Sequence, residues 1–129
     1  MPISPNEILK GSILCHEGKP KIVKAIGDFI LFTDAKAWIG GSMINGEPLN
    51  AWWLEQFGFE YRPDTTPKRW NKKMIGYRST WYLYEGLDGS ISFSPHEWNY
   101  TLKLQYVHQL QLLAFALTGE HLKIPKLPK

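Results

Sequence analysis

The sequence predicts an α+β fold: a small SH3-like β-barrel at the N-terminus, a short linking helix, a second antiparallel sheet, and a C-terminal helix packed on it. Three observations carry this expectation. Short apolar runs broken by turn residues fill positions 12–39. A capped apolar pattern of about two turns surrounds Trp53. The one long stretch with helical periodicity lies at 106–117. Hydrophobic residues make up 43% and aromatic residues 14% of the 129 positions, which excludes wholesale disorder and fibrous repeats. Each half alone would be marginal in size, so one fused domain over 1–129 is expected. Within it, 1–48 holds the barrel-like strands, 49–59 the short helix, 60–105 a basic loop and a β-meander, 106–119 the second helix, and 120–129 an extended tail.

In chain order, Ser12-Ile13-Leu14-Cys15 reads as the first strand, and His16 to Pro20 as a turn in which Gly18 takes a positive φ. Lys21 to Ile26 is β-branched with partial alternation. Phe29-Ile30-Leu31-Phe32-Thr33 is continuously apolar, as a strand buried on both faces requires. After Asp34-Ala35-Lys36 the chain turns into Ala37-Trp38-Ile39. A barrel would remove the exposed edges that a flat sheet of four short strands leaves. Gly40-Gly41-Ser42 forms a bulge or a loop. Asn50 is a good N-cap and Gly58 a good C′ residue, so a short helix lies between them with Trp53, Leu54 and Phe57 on one stripe. Residues 61–73 are polar, basic and broken by Pro63 and Pro67, and read as a long loop. Met74–Arg78, Thr80–Glu85 and Ser90–Ser94 read as strands, with a turn at Leu87-Asp88-Gly89, and Thr101–Gln105 is a further strand candidate. From Tyr106 to Leu117, the residues Val107, Leu110, Ala114 and Leu117 make the apolar stripe of the longest helix.

The net charge of +3 hides a local concentration. Arg62, Lys68, Arg69, Lys72, Lys73 and Arg78 face Asp64 alone within 62–78, whereas 1–61 is slightly acidic and 79–129 is balanced. With Trp70 inside it, this window can hold a nucleic-acid backbone through its cations while Trp70 or Tyr77 stacks on a base. The plainer reading is a solvated loop whose Trp70 docks back on the core.

Adjacent Trp52 and Trp53 lie about 100° apart on a helix and cannot bury against one surface. Trp52, Trp53 and Trp98 are therefore candidate anchors for a protein partner, against the alternative that both halves of the fold enclose them. His108 and Gln111 are polar side chains in the second helix; no spacing nominates a catalytic partner, which favours a hydrogen-bonded packing role for His108. Cys15 reads as a small buried hydrophobe, and a single cysteine forms no internal disulfide. His16, His96 and His121 each adjoin a glutamate, but strand neighbours point to opposite faces, so no metal site is expected. No catalytic, phosphate-binding or dinucleotide motif is present, and no cofactor is expected. No apolar run is long enough to span a bilayer, and the N-terminus lacks a signal-peptide profile.

The run WLEQFGFE from Trp53 and the run YVHQLQLLAFALTGE from Tyr106, with Pro48-Leu49-Asn50 before the first, resemble a signature of small proteins from Bacteroidota phages and mobile elements. That resemblance implies a phage or prophage origin and carries no activity or residue roles. The expectation is thus a non-enzymatic phage-type interaction protein, a virion accessory or host-interfering factor, that binds a protein partner or its own copies. It would act in the bacterial cytoplasm or in a virion. A nucleic-acid-binding module using 62–78 is the alternative, and capture of a small ligand or nucleotide in a cleft is a third.

Overall fold

Two antiparallel sheets and two helices make up the computed structural model, which describes residues 10–27, 29–40, 43–64, 68–73, 80–86, 90–93, 102–118 and 121–123. The first sheet contains β1 (Ile13–His16), β2 (Lys19–Ile26), β3 (Ile30–Phe32) and β4 (Ile44–Gly46) in the order β3-β2-β1-β4. Glu17 and Gly18 join β1 to β2 with φ of 54° and 76°, the doubly left-handed turn whose twist suits a two-residue hairpin. Pro20 sits inside β2 rather than in the turn. It is tolerated there because β3 pairs only with the far end of β2, from Val23 onward.

The sheet is open, and no barrel closes among the described residues. The strand expected at Ala37–Ile39 reduces to one bridge, in which Ile30 and Ile39 exchange backbone bonds of 2.9 and 2.7 Å. The fourth strand is instead β4, which pairs with β1 at the opposite edge and whose sequence Ile-Asn-Gly is too short and too polar to signal a strand.

The second sheet runs β5 (Glu60–Arg62), β6 (Arg69–Lys73), β7 (Thr80–Glu85), β8 (Ile91–Phe93) and β9 (Leu102–Leu104), each strand antiparallel to the next. The long loop expected over 61–73 is therefore corrected: both ends of that window are strands. Alternation explains it, since Trp70 faces inward between Tyr61 and Leu83 while Arg69 and Asn71 face the other way. The strand expected at Met74–Arg78 and the turn at Leu87-Asp88-Gly89 lie outside the described residues.

Helix α1 (Ala51–Gln56) begins where the Asn50 side chain accepts a bond from the Trp53 amide at 3.2 Å. It ends at Phe57, with Gly58 at φ 92° turning the chain into β5. Helix α2 (Val107–Thr118) is capped by Gln109, whose Oε1 accepts from the amides of Gln105 and Tyr106 at 2.8 and 3.0 Å.

The main core gathers Ile13 of β1, Trp53 and Leu54 of α1, Trp70, Leu83, Ile91, Phe93 and Leu104 of the second sheet, and Val107, Leu110 and Ala114 of α2. A smaller cluster of Leu14, Val23, Ile30, Phe32 and Ile44 lies on the opposite face of the first sheet. Two features tie the sheets together. Beyond β4 and β9 the chain continues as a short antiparallel seam: Pro48 bridges Tyr106, the Leu49 amide donates to Gln105 O at 2.9 Å, and the Val107 amide to Glu47 O at 2.8 Å. Just past the end of β4, the Gln111 amide takes up the edge of β1. Its Oε1 accepts from the Ile13 amide at 2.7 Å and its Nε2 donates to Gly11 O at 2.9 Å.

Gln111→Leu keeps the bulk but strands that amide and carbonyl in a buried place. It should cost about 2–4 kcal/mol, read as a lower urea midpoint with an unchanged slope. Gly46→Ala tests the seam: an added Cβ would lie 2.4 Å from the Tyr106 ring. The ring must move off β4, and we expect a fall in stability of about 1–3 kcal/mol, with Gly46→Ala/Tyr106→Ala recovering part of it.

Candidate functional site

Alternation along the second sheet sorts the basic window into two sets. Cross-strand pairing places Arg62, Arg69, Tyr84, Ser92 and Lys103 in one row on the outer face, one residue from each strand. A second row holds Glu60, Asn71 and Tyr82. The Arg69 guanidinium lies over the Tyr82 ring at 4.4 Å, and Arg62 pairs with Glu60 at 3.1 Å. Among the described residues, the buried Arg69 Nε and Asn71 Oδ1 atoms meet no hydrogen-bond partner.

The inward set is different in kind. Trp70 is only 3% exposed and packs on Tyr61 with ring centres 4.7 Å apart, so it offers no face to a base. Lys72 is half-buried against Gly58, 6.0 Å from the Phe59 ring centre, and burial pulls its pKa down. Lys68 is exposed beside β6, and its carbonyl accepts from the Glu85 amide at 2.9 Å. Arg78 and Trp98 lie outside the described residues. Of the two tryptophans of α1, Trp53 is buried, with Nε1 donating to Glu47 at 3.3 Å, while Trp52 stacks edge-on against it and remains 40% exposed.

A second exposed feature, not singled out as a site from sequence, is aromatic. The bridge between Ile30 and Ile39 turns those two side chains into the smaller core and leaves their neighbours Phe29 and Trp38 outside, 54% and 50% exposed. The Phe29 ring lies over Gly40, the Trp38 ring approaches Gly27, and exposed Met43 donates its amide to Gly40 O. The continuous apolar run at 29–32 was the available signal; it suggested burial on both sides, and the tertiary fold covers only one.

His108 and Gln111 both lie inside the fold. The His108 ring is buried and stacks on Tyr106 with centres 5.8 Å apart. Beside it, a cavity of about 350 Å³ is walled chiefly by Leu104, Leu112, Leu113 and Ala116, with Lys103 also lining it. Among the described residues, no three His, Cys, Asp or Glu side chains are grouped to hold a metal ion, and no helix is long and apolar enough to cross a membrane.

Cys15 sits near Glu47. Burial first, and then the glutamate charge, push its thiol above the ordinary range, which works against a nucleophilic thiolate. Because the folded pKa is raised, the thiol's contribution to stability is present at neutral pH and is lost as pH climbs through the folded value. Alkylation of Cys15 should be slow at neutral pH, with its half-maximal rate displaced to higher pH than for an exposed cysteine. Glu47→Gln should move that midpoint back down.

No protein-family model, curated protein or solved structure matches the chain. Its functional reading therefore rests on the geometry of these surfaces.

Proposed function

We propose that the chain is a non-enzymatic interaction protein that binds a protein partner through the exposed aromatic pair Phe29 and Trp38. The observation that carries this is the pair's mounting. Both side chains project from a two-stranded bridge whose other side is anchored in a packed core. Large rings held on a rigid backbone present contact area at low entropic cost, which is why aromatic residues dominate binding hot spots. Trp52 adds a separate exposed aromatic on α1. A phage setting, in the host cytoplasm or the virion, belongs to the same proposal and rests on the two helical sequence runs.

The test compares the native chain with Phe29→Ser/Trp38→Ser in light scattering over a concentration series and in capture of partners from bacterial lysate. Loss of an aromatic anchor should weaken self-association or capture of a defined partner roughly 30-fold, with the thermal midpoint little changed. A native chain that stays monomeric and captures nothing the double variant fails to capture would remove the proposal.

A further inference from the structure

We propose that the outer face of the β5–β9 sheet binds single-stranded nucleic acid. This goes beyond the protein-binding reading and uses a different surface. The argument begins with charge. Among the described residues, the strands of this face carry Arg62, Arg69 and Lys103 against the single carboxylate of Glu60. That carboxylate is held by Arg62. A local excess of cations in an otherwise near-neutral chain matches a polyanion.

Aromatic groups are interleaved with the cations. Tyr84 stands in the central row between Arg69 and Ser92, and Tyr82 in the next row beneath the Arg69 guanidinium. Bases stack on such rings and on guanidinium planes with little regard to sequence. Ser92, in the central row, suits base edges or sugar hydroxyls. Trp70, the residue that the sequence nominated for stacking, is replaced in this role by the tyrosines of the neighbouring strand.

Shape selects a single strand over a duplex. The row from Arg62 to Lys103 crosses four inter-strand steps, about 19 Å. A major groove about 12 Å wide accepts a helix or a two-stranded ribbon, not a five-stranded face. Unpaired bases, by contrast, can splay across a sheet with their phosphates reaching the cations at its two margins. Arg62 and Lys103 mark those margins, on β5 and β9.

Fluorescence anisotropy tests this with short labelled oligo(U), oligo(dT) and a duplex of equal length, first at low salt and then through a salt titration. Binding to either single strand, stronger than to the duplex and falling with salt, is expected. Preference for oligo(U) would add the 2′-hydroxyl to the contacts, and equal affinity would confirm recognition by backbone and stacking. Arg62→Gln and Lys103→Gln alter exposed side chains and should each lower the slope of log K against log salt by about 0.7. Tyr84→Leu should weaken binding roughly ten-fold while leaving the slope unchanged. Lys36→Gln, on the first-sheet side, should change nothing. Absence of binding to both single strands at low salt, tighter binding to the duplex, or indifference to Arg62→Gln and Lys103→Gln would overturn the proposal. Phe29→Ser/Trp38→Ser should bind oligonucleotides like the native chain, so the failure of one proposal is separable from the failure of the other.

Discussion

The junction between the two sheets is the constraint on which the remaining structure depends. Neither sheet has enough inner surface to bury its apolar residues alone, and α2 must cover both. The Gln111 side chain makes this possible by acting as a piece of strand: it satisfies the backbone edge of β1 where β4 has ended. The seam at Pro48 and Tyr106 fixes the opposite end of the same contact. With these backbone groups paired, the residues of α2 on the same face as Gln111 can sit against Ile13 without leaving buried polar groups unmet.

This junction also decides which surfaces are left over. Packing α1 and α2 against the inner side of the second sheet uses Trp53, Trp70, Leu83 and Leu104, and directs the odd-numbered residues of β6 to the other side. Of the basic window, Arg62 and Arg69 fall in one row across neighbouring strands, with Lys103 at the far edge of the same row. The first sheet behaves differently, because its second face closes over a small core of its own. That core is too small to cover the ends of the Ile30–Ile39 bridge, and Phe29 and Trp38 are left outside it.

Local signals were legible wherever a single residue has one physical use. Asn50 as a cap, Gly58 as the left-handed exit from α1, and the periodicity of α2 could all be read before any tertiary contact was known. β4 could not, because three residues with one apolar side chain form a strand only when β1 offers them an edge. β5 and β6 were hidden for a related reason. Their charged residues dominate the composition, and the alternation that marks the strand rests on Tyr61 and Trp70.

Residue order alone was enough to read an α+β chain, the starts of its two helices, and a positive charge that is concentrated rather than spread. These follow from short-range physics: capping, turn conformations, helical period and local charge density. Long-range packing, by contrast, leaves the first sheet open, makes Gln111 serve as a strand edge, and buries Trp53 rather than Trp52. It also decided that Trp70 belongs to the core while Tyr82 and Tyr84 face outward with Arg69. Those outcomes depend on which strand lies beside which, and pairing partners distant in sequence set the face of every residue between them.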